Sequence, residues 1–263
     1  MTLSILLPFK DSELYFQDCL NSLSYQTFQD FEVIAVNDGS QDQSSKILNK
    51  WAISRPHEVR EIAGPQKGIG MALKTGSRFC RGDFIARMDS DDTCEPDRFE
   101  QQINVLQREK NTKMVGCNSW IIDKLDRRVG ELNLPTTYQV IRHLILLKNP
   151  FVHGSVCVEK KAFEEVGGYS GNEKYVEDYE LWFKIISRFP AKNLPQKLYN
   201  FRRHELSDTA QKQFSYLKRA QATRLFALQH GYYPNYGFLF FPLLGMINNL
   251  LLMRAKRNRD KIS

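Results

Sequence analysis

Gly82-Asp83-Phe84-Ile85-Ala86-Arg87-Met88-Asp89-Ser90-Asp91-Asp92 sets a short apolar run directly against three carboxylates within four residues. The run reads as a strand that stops at an acidic edge. Side chains alternate faces along a strand, so Asp89 and Asp91 are expected on one side, where two carboxylates suit a hard divalent cation. A bare D-x-D is explained more simply as an acidic helix start. What surrounds the cluster has to decide.

Upstream, residues 3–7 are an apolar run stopped by Pro8, residues 31–36 a second run followed by Asn37-Asp38-Gly39-Ser40, and residues 59–62 a short third. Between them, residues 14–23, 44–51 and 68–79 place apolar side chains at helical spacing. Strands alternating with helices in this way call for right-handed crossovers and an α/β fold, with a mainly parallel central sheet flanked by helices. Ligands of such sheets sit beyond the carboxyl ends of the strands. That rule collects Pro8-Phe9-Lys10-Asp11, Asn37-Asp38-Gly39-Ser40 and Asp89-Ser90-Asp91 at one edge. Gly68-Ile69-Gly70 is no dinucleotide fingerprint, because the motif is incomplete and does not follow the first strand. Lys67 beside it can still reach an anion.

Downstream, residues 97–108 and 138–147 read as helices, and residues 114–122 as a strand turning at Asp126-Arg127-Arg128. Residues 150–158 lead into a further strand, and residues 162–166 form a short helix ended by Gly167-Gly168-Tyr169. Glu177-Asp178 then opens a helix that runs to Ile186. Carboxylates there suit the helix dipole; the functional reading is that one caps while the other faces a pocket as a base. His153 and Trp182 are candidates near the acceptor, although a lone histidine is more often structural and a tryptophan more often core or pocket wall.

The chain has 263 residues, 42% hydrophobic and 25% charged, enough for one large domain or one domain with an appendage. Five scattered cysteines without any C-x-x-C argue against a disulfide framework or zinc knuckle and favour a reducing cytosol. The amino-terminal run lacks the basic lead and the length of a signal peptide. Of 37 Lys+Arg and 30 Asp+Glu, residues 199–263 hold 11 and 3, leaving 26 and 27 for the rest. The net charge of +7 is therefore a property of the last quarter.

Six motifs follow one another in a distinctive order. They are Leu6-Leu7-Pro8-Phe9-Lys10, Val36-Asn37-Asp38-Gly39-Ser40, and Lys67-Gly68-Ile69-Gly70-Met71-Ala72-Leu73-Lys74-Thr75-Gly76. Then come Met88-Asp89-Ser90-Asp91-Asp92 with Pro96-Asp97-Arg98, Gly167-Gly168-Tyr169, and Glu177-Asp178-Tyr179-Glu180-Leu181-Trp182. This series resembles the family 2 glycosyltransferases over residues 3–210. The resemblance implies a GT-A fold, a nucleotide-sugar donor, Mn2+ or Mg2+, and inversion at the anomeric carbon. It implies that Asp38 bonds the nucleobase, that Pro8 and Lys10 line the same pocket, and that Lys67 lies near base or phosphate. Asp89 would contact ribose or metal with Ser90 beside it, Asp91 would bind the metal, and Asp178 would be the catalytic base with Glu177 adjacent. Phe9-Lys10 stands where many relatives have Tyr-Asn. Arg202-Arg203-His204-Glu205-Leu206-Ser207 resembles the Arg-x-His-x-x-Ser segment that closes this pocket. His204 would be a further metal ligand, or would bind the diphosphate with Arg202 or Arg203.

Residues 211–229 read as a basic helix. Residues 238–253 are apolar apart from Pro242, Asn248 and Asn249, and Arg254-Ala255-Lys256-Arg257-Asn258-Arg259 follows. A span needs about 20 apolar residues, so residues 237–263 are expected to lie on an anionic membrane surface; packing on the catalytic domain or a second subunit is the alternative. The chain as a whole is expected to comprise a catalytic domain over residues 1–210, with a nucleotide-binding half at 1–97 and an acceptor-binding half at 98–210, and a helical extension over 211–263. It would work in the cytoplasm, at the inner membrane face, moving a sugar from a UDP-sugar to a saccharide or lipid-linked acceptor of a surface glycan. No nucleic-acid partner is expected. A nucleotidyltransferase and a non-catalytic nucleotide-binding module of the same fold are the alternatives. The first should carry a Gly-rich basic loop after strand one, and the second has no use for both the acidic cluster and Glu177-Asp178.

Overall fold

The computed structural model describes residues 1–53, 58–204 and 213–232. β1 (Leu3–Phe9), β2 (Phe31–Asn37), β3 (Val59–Ala63) and β4 (Phe84–Arg87) run parallel in the spatial order β3-β2-β1-β4. The crossovers carry α1 (Phe16–Ser24), α2 (Ser44–Ile53) and α3 (Ile69–Ser77). Every residue of β1 is buried, as a central strand covered on both faces must be, which is why its apolar run is continuous and not alternating. Leu6 faces Ile34, Ala72 and Leu73 on one side, while Ile5 and Leu7 face Phe16, Leu20 and Leu23 on the other. Leu14, expected on the first helix, lies ahead of α1 and is exposed.

Past β4 the sheet turns. β8 (Cys157–Glu159) pairs antiparallel with β4, β6 (Met114–Ile122) antiparallel with β8, and β9 (Ala191–Arg202) parallel with β6. β5 (Thr93–Cys94) edges β9, and β7 (Arg128–Leu132) forms a hairpin on β6. The longest ladders, β1–β2 and β6–β9, are parallel, so the sheet is mainly parallel as expected. α4 (Arg98–Arg108), α5 (Tyr138–Leu144), α6 (Lys160–Glu165), α7 (Glu177–Arg188) and α8 (Gln213–Gln229) complete the helical layers.

β9 has no counterpart in the sequence reading. Lys192, Pro195 and Lys197 interrupt its apolar pattern, and a proline usually demotes a strand. Here the β6–β9 register shifts between Cys117 and Ser119, and Asn118 Nδ2 donates to Pro195 O at 2.9 Å within that irregularity. The proline thus sits where the ladder asks it for no donor. Trp182 is fully buried on α7 against Phe151 and His153, so of its two readings the core holds, and it offers no face to a sugar. No helix among the described residues is long and apolar enough to cross a membrane. The expected membrane segment, residues 237–263, lies outside the described residues.

Candidate active site

β1 and β2 end side by side, with Phe9 opposite Asn37. Asn37 Oδ1 accepts the N–H groups of Gly39 (3.1 Å) and Ser40 (2.8 Å), which turns the chain at once. Gly39 takes φ +92°, and a Cβ there would meet the Gln66 side chain at 2.9 Å. Buried Asp38 accepts Gln66 N–H on Oδ1 (2.7 Å) and Gly68 N–H on Oδ2 (2.8 Å). It therefore shapes the loop that holds Lys67 exposed at the rim. A carboxylate has about four lone-pair sites, so acceptor capacity remains for a ligand. Pro8 is buried within β1, and Lys10 just beyond it is exposed. Ser12 Oγ lies 2.8 Å from Ser90 Oγ and joins this edge to the acidic loop.

β4 stops at Arg87, so Asp89 to Asp92 form a turn and strand alternation does not place their side chains. Their partners do. Arg87 Nη2 donates to Asp89 Oδ1 at 2.6 Å, and Tyr199 OH lies 3.5 Å from Asp89 Oδ2. Burial raises the Asp89 pKa, against the pull of Arg87. Asp91 stands at the rim, 34% exposed, with Oδ2 2.9 Å from His204 Nε2. Asp92 turns inward and accepts Arg202 N–H at 2.7 Å; burial, then the charges of Asp91 and Asp89, push its pKa well up. Asp92 caps no helix, contrary to the acidic-helix-start reading: α4 begins at Arg98, and its N-cap Asp97 makes no side-chain cap bond.

Arg202 lies behind this turn. Its Nε donates to Asp91 O (2.7 Å), its Nη1 to Asp123 O (3.2 Å), and its Nη2 pairs with Asp126 Oδ1 (2.7 Å). Fully buried over the Tyr15 ring, it clamps the acidic turn and presents no free fork to a phosphate. Arg203 is exposed, with its N–H on Ile122 O. The His204 ring packs on Tyr15 at 4.9 Å, with Nδ1 buried and lacking a hydrogen-bond partner among the described residues. Adjacent ligands of an octahedral ion with bonds of about 2.1 Å sit ~3.0 Å apart. Asp91 Oδ2 and His204 Nε2 have that spacing, and among the described residues no third His, Cys, Asp or Glu completes a cluster. Such a donor set fits a cation whose remaining ligands are water and substrate phosphate.

Across the site, α7 opens at Val176, whose N–H donates to Thr223 Oγ1 of α8 at 3.0 Å. Glu177 Oε2 accepts Arg219 Nη2 at 3.1 Å. Asp178 accepts Asn149 Nδ2 on Oδ2 (2.7 Å) and Tyr179 N–H on Oδ1 (2.6 Å). Burial, then the neighbouring Glu177 charge, push the Asp178 pKa up to about 7, and Asp89 adds to the rise. Two adjacent carboxylates are thereby sorted: Glu177 is paired, and Asp178 is buried and half-ionised near neutral pH. Asp178 accepts the Tyr179 N–H inside the first turn, while the N-cap position, Val176, has no side-chain cap bond. His153 Nε2 lies 2.9 Å from Tyr169 OH; burial, then Arg87, hold its pKa well below the usual value, so it is a neutral wall.

Sequence reasoning missed Arg87, Asn149, Tyr199 and Arg219. Arg87 looked like the end of an apolar strand, Asn149 like loop, Tyr199 hung on the unseen β9, and Arg219 counted only as tail charge. Asn149, Tyr199 and Arg219 carried no local signal because each acts on a residue distant in sequence; Arg87 acts on Asp89 two positions on, and only the end of β4 at Arg87 turns the two side chains together.

A family model described as glycosyl transferase family 2 matches residues 4–167. The chain belongs to that family. The amylovoran biosynthesis glycosyltransferase AmsE of Erwinia amylovora is 34% identical over 189 residues, 71% of this chain and 70% of AmsE. TarS 1–349 from S. aureus, solved with UDP-GlcNAc, superposes with a TM-score of 0.68 at 19% identity, over 85% of this chain and 66% of that fragment. The mannosyltransferase PcManGT from Pyrobaculum calidifontis, solved with GDP-Man and Mn2+, superposes at 0.67 and 16% identity, over 97% of this chain and 73% of that one. At those identities the structures speak for the fold alone, which is GT-A. The chain is a glycosyltransferase of family 2, and its sequence kinship lies with glycan biosynthesis.

Proposed function

We propose that this chain moves a single sugar from a nucleotide-sugar donor, a UDP-sugar in the simplest reading, to a hydroxyl of a saccharide or lipid-linked acceptor, with inversion. The observation that carries the reading is Asp178, a buried carboxylate poised near pH 7 and within the field of the acidic turn. An acceptor hydroxyl is a poor nucleophile until a base takes its proton during attack, and a base serves best with a pKa near the working pH. Asn149 holds one oxygen of Asp178, and Arg219 pairs with Glu177 beside it. Attack from the side opposite the leaving group then inverts the anomeric centre without a covalent enzyme intermediate.

In this reading the nucleotide lies among Pro8, Lys10, Asp38 and Lys67, with Asp89 and Ser90 at the ribose side, in the half formed by residues 1–97. Residues 98–210 receive the acceptor beside Asp178. Asp91 and His204 would hold Mn2+ or Mg2+, which would act as a Lewis acid on the leaving diphosphate. PcManGT, solved with Mn2+, and TarS, solved with UDP-GlcNAc, support a metal and a nucleotide-sugar donor. Nucleoside diphosphate release from a panel of nucleotide sugars tests the reading. Release in Mn2+ or Mg2+ that EDTA abolishes is expected; equal release in EDTA would remove the cation, and none from any donor would remove the activity.

Gly154 supports the same site from behind. A Cβ there would fall 1.9 Å from Tyr199 OH and 2.6 Å from Asp89 Oδ2, so nothing larger fits without displacing Asp89. Gly154→Ala is expected to cost ~1–3 kcal/mol of stability by overpacking and to weaken donor binding by about tenfold. A thermal melt and a donor titration check it; unchanged donor affinity would detach Asp89 from the nucleotide.

A further inference from the structure

We infer that α5, its continuation to Lys148, and α8 form a docking face for an anionic lipid surface, placing Asp178 against a lipid-linked acceptor. This rests on the glycosyltransferase reading above and names where its acceptor comes from. The helical turn continues past Leu144, with Ile145 N–H on Ile141 O and Lys148 N–H on Leu144 O. Val140, Leu144 and Leu147 therefore share one helical face at i, i+4 and i+7. Val140 is 47% and Leu147 42% exposed, an unusual place for an apolar stripe on a helix. Tyr216 of α8, 39% exposed, lies beside Asn149, the residue that holds Asp178. Arg224 Nη2 donates to Leu147 O at 2.9 Å, so the two elements form one continuous face.

Charge decides the occupant. Residues 138–148 and 213–229 carry no Asp or Glu; Arg142, Lys148 and Lys218 are exposed there, while Arg219 pairs with Glu177 and Arg224 bonds Leu147 O and Tyr179 OH. Exposed apolar side chains ringed by cations are the pattern of an interfacial segment on anionic lipid, where each nearby cation strengthens attachment. α8 also leads directly into residues 233–263, whose apolar run and closing cations were read in the sequence as membrane-seeking. Because Asn149 and Asp178 lie at the edge of this face, a lipid-borne sugar hydroxyl would arrive beside the base.

Co-sedimentation of the full chain with vesicles of 30% phosphatidylglycerol in phosphatidylcholine tests it, in parallel with nucleoside diphosphate release from the donor. The wild type is expected to bind, with affinity falling as salt rises. Val140→Glu/Leu147→Glu is expected to bind at least about tenfold more weakly with donor hydrolysis unchanged, while Leu125→Glu on the distant β6–β7 turn binds as wild type. Vesicle binding by the double variant equal to that of wild type would overturn the inference, as would equal loss in Leu125→Glu. Absent wild-type binding, with a dimer in sedimentation that Leu147→Glu dissolves, would assign the face to a second copy instead. Loss of donor hydrolysis in the wild type would strike the activity and leave vesicle binding to be judged by itself.

Discussion

Asp178→Asn is expected to slow sugar transfer by about 10²- to 10⁴-fold, the usual contribution of a general base, while donor affinity stays within about twofold. The same substitution is expected to stabilise the protein at pH 8. The Asp178 pKa rises from 3.8 to about 7 on folding, because burial and Glu177 oppose its charge. Between those values the native state holds a proton that the unfolded chain has released, so stability falls as pH climbs through that window. Above pH 7 the full cost is present, on the order of 2–4 kcal/mol. An asparagine removes the charge and keeps one acceptor oxygen for Asn149 Nδ2, while the Tyr179 N–H loses its carboxylate partner. A melt that rises while turnover collapses marks a residue kept for chemistry at the expense of stability. Near-normal turnover would move the base to another group, with Glu177 the nearest.

Asp91→Asn is expected to weaken cation-dependent donor binding by about 10- to 100-fold and to leave the melt almost unchanged. Its side chain meets the rest of the protein only through His204 Nε2 among the described contacts, and the Arg202 clamp grips its backbone oxygen, which the substitution keeps. Titration of the donor nucleotide in Mn2+ and in EDTA separates the effects: the variant should match wild type in EDTA and fall behind in Mn2+. His204→Ala should follow the same pattern. Equal affinity for Asp91→Asn and wild type in Mn2+ would take the cation away from Asp91.

The amino-terminal half of the fold was legible because β1 and β2 are continuous apolar runs closed by Pro8 and by Asn37-Asp38-Gly39. Burial on both faces and an abrupt turn leave local marks. β9 was not legible, since Pro195 and two lysines break its pattern and only the register shift against β6 makes room for them. The site divides the same way. Asp38, Asp91, Asp178 and His204 stood out as residue types beyond strand ends or at a helix start. What each does is set by partners 28 to 113 positions away: Asn149 for Asp178, Gln66 and Gly68 for Asp38, His204 for Asp91. Alternation along a strand misplaced the acidic cluster because β4 ends two residues before it. Arg202 looked like an anion ligand and became a buried clamp once Asp123 and Asp126 came up behind it.

The most direct test is the pH profile of sugar transfer in single turnover, with the donor identified by the panel, for wild type and Asp178→Asn. Wild type should rise tenfold per pH unit on the acid side and level off above about 7. Asp178→Asn should be flat across that range and at least about a hundredfold lower on the plateau. Profiles of the same shape and height would contradict Asp178 as the base and with it the proposed mechanism.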